Sequence, residues 1–275
     1  MSKIRVLFIG DVVGSAGRAM FQKHIERIRK THSINAVIVN GENSAQGRGI
    51  TSKIVKFFRL NGADIITTGN HIWHKREIYP YLAQNTDLLR PANFPSTSPG
   101  VGVTTFMCGN QRIAIINLQG RVFMKDLLDC PFRVAESLLT FLRDKTNIIF
   151  IDFHAEATSE KIALAFFLEG RVSGIVGTHT HVQTADERIL PRGTAYITDL
   201  GMVGSFNSAL GMKKEPIIDQ FLTQMPTKFT PDIQPPFVLC GAWIEVDTQT
   251  GKATAIERIM IKDNELHVTE DDDSH

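Results

Sequence analysis

Short apolar runs alternate with amphipathic segments along the first third of the chain. KIRVLFI is followed by AGRAMFQKHIERIRKTH, whose apolar residues recur at helical spacing. AVIV is followed by SKIVKFFRLNG, closed by Gly62, and ADIITT by HKREIYPYLAQ. Apolar runs of this length, separated by helical segments, predict strands buried in a sheet with helices packed against it.

The pattern changes after residue 90. PANFPSTSPG (91–100) reads as a loop. VGVTTFM and QRIAIINL read as a hairpin turned at Gly109 and Asn110. A helix, PFRVAESLLTFLRDK, is predicted from Pro131, because proline suits a first helical turn. NIIFIDF, VSGIVG and GTAYITD follow as buried strands, and PIIDQFLTQM as a helix. CGAWIEVDTQTGKATAIERIMI predicts a two-stranded ribbon turned at TQTGK. With no internal repeat or linker, one domain is expected over 1–268, with an acidic tail over 269–275. Two arrangements fit: two stacked sheets with helices outside both, or one doubly wound sheet. Both place active residues beyond the carboxyl ends of parallel strands.

Composition narrows the class without naming a partner. Of 275 residues, 43% are hydrophobic and 21% charged, as in ordinary globular proteins. Thirty Lys and Arg against 29 Asp and Glu leave a net charge of +1, so no surface for nucleic acid or membrane is dictated. The N-terminal MSKIRVLFIGDV reaches the acidic Asp11 too soon for a secretory h-region. No run reaches the ~18 apolar residues of a membrane span. Cys108, Cys130 and Cys240 are far apart and form no CxxC, so free thiols and a cytoplasmic setting are expected.

Five polar stations follow apolar runs. Asp11 ends IGD, Glu42 and Asn43 lie in IVNGEN, Asn70 and His71 in ITTGNH, His154 in FIDFHAE, and His179 and His181 in IVGTHTH. Turn chemistry explains Gly, Asn and Asp at such places, but not histidine at three of them. Singly, each has a bland explanation: an Asx turn for Asp11, a cap for Asn43, a left-handed position for Asn70, a hydrogen-bonded ring for His71 or His154. Together they do not. Imidazole, carboxylate and amide oxygen suit Fe, Mn, Zn or Co. Seven candidate ligands exceed one tetrahedral site but suit two ions sharing a carboxylate, an arrangement that at about 3.5–4 Å spacing binds a phosphoryl centre. Strand alternation is expected to turn the rings of His179 and His181 to one side. His24, His32, His267 and His275 are expected to face solvent, and His74 either lines the cleft or faces water. GDVVGSAG lacks the GxGxxG spacing of a dinucleotide loop.

The order GD, GEN, GNH, an isolated His and GTHTH resembles the calcineurin-like metallophosphoesterases. The longer strings DFHAEATSEK, GTHTHVQTADERILPRGTAYITDLGMVG and TGNHIW resemble the bacterial YmdB-like branch, dimetal phosphodiesterases of 2',3'-cyclic nucleotides. The resemblance implies a four-layered α/β/β/α sandwich. It also implies Asp11, Asn43 and His181 on one ion, Asn70, His154 and His179 on the other, and Glu42 bridging. A hydroxide between the ions would attack phosphorus, and His71 would protonate the leaving ribose oxygen. The chain departs from the wider superfamily at Val13, where a histidine ligand is usual, and at Glu42, where an aspartate is usual. Asn43 then stands for the missing ligand. The implied cofactor is a pair of divalent or mixed-valence transition ions, iron first, with manganese or zinc as alternatives.

The implied partner is a small phosphodiester. RNA is a weaker candidate, a membrane is not expected, and a homo-oligomer is left open. A broader phosphatase or nuclease would call for an open cleft bordered by Arg48, Lys75 and Arg76. A regulatory protein with a structural metal centre is the rival from outside the enzymes.

Overall fold

The computed structural model describes residues 3–269. The chain runs β1 (Lys3–Ile9), β2 (Asp11–Val12), α1 (Gly14–Thr31), β3 (Ala36–Asn40), α2 (Ser52–Leu60), β4 (Ile65–Thr67) and α3 (Ile78–Gln84). It continues through β5 (Val103–Cys108), β6 (Gln111–Gln119), α4 (Pro131–Leu142), β7 (Ile148–His154), α5 (Thr158–Leu168), β8 (Gly174–Thr178), β9 (Arg188–Ile189) and β10 (Ala195–Ile197). It ends with β11 (Met202–Ser205), α6 (Lys214–Thr223), β12 (Phe237–Asp247) and β13 (Ala253–Asp263). One sheet has the order β2-β11-β12-β1-β3-β4, with β13 also paired to β12. The second has the order β5-β6-β7-β8-β10-β9.

The two sheets stack, and helices cover the outer face of each, which makes the four-layered α/β/β/α sandwich. Period-two alternation explains the layers. Leu7 and Ile9 of β1 pack with Phe21 of α1 and Phe58 of α2, while Val6 and Phe8 point the other way. There they meet Ile113, Phe150 and Val176 of the second sheet, with the Phe8 and Phe150 rings 5.3 Å apart. Ile149, Ile151 and Phe153 pack outward with Leu139 of α4 and Leu164 of α5.

The longer strands and most helices match the sequence pattern, but helix α5 and the short strands β2, β9 and β11 were not expected, and two further readings change. Residues 74–84 are not one helix: a tight 3-10 turn over Ile72–His74 comes first, and α3 starts at Ile78. Pro80 lies in its first turn, where an N–H has no helical partner. Helix α5 carries no readable stripe, because its apolar residues run right round it and leave Phe166 and Phe167 exposed. His24 does not face solvent; it is buried, with Nε2 2.8 Å from Asp263 Oδ2. His267 is exposed and His32 half-buried. Residues 270–275 of the expected acidic tail, with His275, lie outside the described residues. The three cysteines are free, and no helix among the described residues is long and apolar enough to cross a membrane.

One ion-pair cluster ties β1 to β12. Lys3 Nζ lies 2.6 Å and Arg5 Nε 3.0 Å from the Glu245 carboxylate. Hydrogen bonding from Lys3, helped by Thr254 and Arg5 and opposed by burial, holds Glu245 down at about 2, from 4.5. Because the folded value is depressed, the stability it contributes is complete above about 4.5 and is lost as pH falls towards 2. The difference in thermal midpoint between wild type and Glu245→Gln should therefore be constant above pH 5 and shrink between about 4.5 and 2. A difference unchanged down to pH 2.5, followed by circular dichroism, would contradict this origin.

Candidate metal centre

The apolar layer between the sheets turns polar at the carboxyl ends of its strands. Ile38, Ile65, Phe150 and Val176 face the inter-sheet core. Two residues further along the same faces stand Asn40, Thr67, Asp152 and Thr178, all buried, and His154 follows Asp152 by two. Asp152 joins the sheets: it accepts from the hydroxyl of Thr67, from Asn40 Nδ2 at 3.3 Å and from Thr178 Oγ1 at 2.7 Å. Burial raises its pKa, against these hydrogen bonds. Since the Thr178 hydroxyl donates to Asp152, it accepts from His154 Nδ1 at 2.9 Å. The relay places a proton on Nδ1 and leaves the Nε2 lone pair for the cleft.

Three further lone-pair atoms meet that nitrogen. Glu42 Oε1, Asn70 Oδ1 and His179 Nδ1 each lie 3.0 Å from His154 Nε2. Glu42, His154 and His179 offer ligand atoms within 4.8 Å of one another. A single proton cannot satisfy every pair in such a group, whereas a cation satisfies all of them. Without one, the cluster gathers a proton instead. Burial works against charging His154, yet Glu42 pulls its pKa up to about 9. Burial would raise Glu42, but His154 and His71 bring it well below the carboxylate range. Burial and His154 push His179 down to about 3.

Beside this cluster lie Asp11, Asn43 and His181. Asp11 Oδ2 accepts from the His179 N–H at 3.1 Å, while Oδ1 is buried with no hydrogen-bond partner, 4.0 Å from His181 Nε2. Burial raises Asp11 to about 6, against His181 and His154. Asn43 Nδ2 donates to the Gly47 carbonyl at 3.0 Å, which leaves Oδ1 buried and unpartnered. His181 Nδ1 donates to the Leu210 carbonyl, freeing Nε2. Glu42 repeats the scheme, with Oε2 accepting from the His71 N–H at 3.1 Å and Oε1 turned to His154. Orphaned buried acceptors are costly, and a cation removes the cost. The donors, imidazole, carboxylate and amide oxygen with no thiolate, fit a borderline divalent ion.

His179 and His181 reach the centre by a route that strand alternation does not describe. Strand β8 ends at Thr178, and both histidines lie beyond it at φ 102° and 65°. These left-handed conformations are strained for side chains of this kind. Hydrogen bonds hold them: His179 N–H to Asp11, Thr180 N–H to Asp199 Oδ2 at 3.1 Å, and Leu200 N–H to the Gly177 carbonyl at 2.8 Å. Asp199 is itself paired with Lys161 at 2.8 Å, both fully buried. Gly177 is required by close approach, since a Cβ there would fall 1.7 Å from the Thr198 carbonyl oxygen.

His71 caps the 3-10 turn and meets the His74 ring edge-on, with centroids 4.7 Å apart. Burial pushes its pKa down to about 4, with Glu42 opposing. A cavity of about 430 Å³ opens over Asn70, His71 and His179, walled by Arg48 and His74 and by residues 123–126. Lys75 and Arg76 do not line it. Sequence reading missed Asp152 and Thr178, which look like strand interior, and Phe123 and Lys125, which sit in a stretch without periodicity.

A family model described as "YmdB-like protein" matches residues 7–259. A 2',3'-cyclic-nucleotide 2'-phosphodiesterase of Bacillus subtilis (strain 168) is 49% identical over 263 residues, 96% of this chain and 99% of that one. A crystal structure of a hypothetical protein from Thermus thermophilus superposes with a TM-score of 0.88 at 37% identity, covering 94% of this chain and all of the other. That of a phosphatase from Mycoplasma pneumoniae gives 0.90 at 36% identity, covering 96% and 95%.

The Lys161–Asp199 pair provides a test of how the histidine loop is held. Asp199→Asn leaves a buried ammonium without its counter-charge, and should cost about 3–5 kcal/mol in urea unfolding. The double variant Lys161→Met/Asp199→Leu removes the unpaired charge but leaves the Thr180 and Gly201 N–H groups without their acceptor, so it should recover only part of that loss. A loss below about 1 kcal/mol in the single variant would show that the pair does not support the loop.

Proposed function

The chain belongs to the YmdB-like family of calcineurin-type metallophosphoesterases, and from that premise we propose that it is a metal-dependent phosphodiesterase hydrolysing 2',3'-cyclic nucleotides. The observation that carries the reading is the meeting of four lone-pair atoms at His154 Nε2, the other three each 3.0 Å from it. The relative from Bacillus subtilis supports the substrate class.

Two ions per chain are proposed. Asn70, His154 and His179 would hold one, Asp11, Asn43 and His181 the other, and Glu42 both. The orphaned oxygens of Asp11 and Asn43 support the second position. Val13, where the superfamily has a histidine, is buried among Met202, Val238 and Cys240. The backbone carbonyl of Asn43 accepts from the N–H of Gly14, the residue after Val13, which supports Asn43 as the substitute ligand. Iron is the first candidate, with manganese or zinc next. When bound, such ions lower the pKa of a water and neutralise phosphate charge.

The chain's own groups do the rest. Asp152 and Thr178 keep the His154 lone pair available and its ring fixed. Arg48 and Lys125, on the cavity walls, supply positive charge for the phosphodiester. His71 is proposed to give its proton to the departing O2', while water adds a hydroxyl to phosphorus, leaving a nucleoside 3'-monophosphate. Burial pushes the His71 pKa down, with Glu42 opposing, and the negative charge of a bound diester would favour its protonated form. The free cysteines support a cytoplasmic setting.

Elemental analysis of anaerobically purified, fully loaded protein should give two transition ions per chain. Glu42→Ala should lower the occupancy of both. A single tightly held ion that survives the substitution would overturn the bridging role.

His71→Ala should keep both ions and the fold. Its kcat/KM for 2',3'-cyclic AMP should fall by ~10²–10⁴, the usual share of a general acid. Hydrolysis of bis-p-nitrophenyl phosphate should fall clearly less, because p-nitrophenolate leaves without protonation. Equal losses on the two esters would reject the acid role, and loss of an ion would make His71 a ligand.

A further inference from the structure

One wall of the cavity is built from residues that no hydrophobic layer needs. After β6 the chain runs RVFMKDL (121–127) with neither helix nor strand. Phe123 in this stretch is 85% exposed and sits at φ 63°. A bulky aromatic residue is disfavoured in the left-handed region, and its exposure returns no burial in exchange. Strain of this kind persists where the surroundings impose it, and it gathers at functional sites.

The surroundings do impose it. The N–H groups of Arg121 and Val122 both donate to the buried carboxylate of Glu160, at 3.1 Å. Asp126 accepts from Gln119 Nε2 at 2.8 Å, and Met124 N–H closes a turn onto the Arg121 carbonyl. At the foot of the loop, Gly120 N–H donates to the carbonyl of His154, the residue at which the lone pairs meet. The loop is therefore fixed at both ends, and its position is tied to the reaction centre. Phe123 lines the cavity together with Lys125 and Arg48. A flat apolar face next to cationic groups suits a ligand that combines an aromatic ring with an anion. A volume of about 430 Å³ lies within the range of nucleotide-sized ligands.

We infer that Phe123 is the platform on which the base of the nucleotide stacks while its phosphate lies at the His154 cluster. The inference rests on the phosphodiesterase reading, and it assigns base recognition to this loop. Stacking on an aromatic side chain tolerates any base, because each has a π-face, and purines offer the larger one.

The test uses metal-loaded protein and two substrates that differ only in the base: 2',3'-cyclic AMP and methyl riboside 2,3-cyclic phosphate. Phe123→Ala should lower the ratio of kcat/KM for the first over the second by on the order of tenfold, mostly through KM. Phe123→Trp should restore it. A ratio unchanged in Phe123→Ala overturns the platform. Binding without turnover separates this from the reading beneath it. Wild type should hold adenosine 3'-monophosphate more tightly than inorganic phosphate by calorimetry, and Phe123→Ala should lose that advantage. Cyclic nucleotide left unhydrolysed, with the binding advantage intact and lost in the variant, overturns the reading and keeps the platform. Phe123→Gly adds a readout that a structural role would not produce. Glycine relieves the left-handed strain, so the thermal midpoint should hold or rise while the base preference disappears. A lowered midpoint, or a changed oligomeric state in light scattering, would make Phe123 a packing or contact residue instead.

Discussion

Three atoms bearing lone pairs meet the lone pair of His154 Nε2, and positive charge is what allows the four to stay together. Acceptors held 3.0 Å apart in a buried place repel one another unless a proton or a cation lies between them. Much of the surrounding structure serves to keep the group from relaxing. Asp152 and Thr178 engage the far side of the ring. The His71 N–H holds one oxygen of Glu42, and the His179 N–H holds one oxygen of Asp11. In each carboxylate one oxygen is tied to backbone and the other is left for the centre.

The sandwich supplies the rigidity this requires. Its inter-sheet layer is apolar along most of its length and polar at one end, so the cost of the polar cluster falls on a well-packed support. The same division explains the strained segments. His179, His181 and Phe123 all lie beyond strand ends, and all three have positive φ. Each is held by hydrogen bonds that run back to buried carboxylates, namely Asp11 and Asp199 for the histidines and Glu160 for the 121–127 loop. Catalytic geometry is thus imposed on loops by the sheets beneath them.

Much of the site was legible because histidine is a poor fit for the ordinary turn that follows a buried strand. His71, His154, His179 and His181 could be picked out on that ground, and Asp11, Glu42, Asn43 and Asn70 only by standing with them at strand ends; the layers could be narrowed to two arrangements from the apolar runs. Helix α5 was not legible, because its apolar residues face both the core and solvent. Asp152 was hidden inside FIDF, which reads as the interior of a buried strand. His24 looked like a residue on an exposed helix face until β13 placed Asp263 against it.

The sequence by itself determined which chemical groups stand at the ends of which strands, since that depends on local period and composition. Only the tertiary structure decided which of their atoms meet. Asp11 and the His179 N–H are 168 positions apart, and Asn70 and His154 are 84 apart. Their approach depends on the stacking of two sheets and on the register of β7 against β8, which sets His154 beside Thr178. The orientation of the His154 lone pair and the exposure of Phe123 over the cleft depend on contacts between distant segments, which no local pattern records.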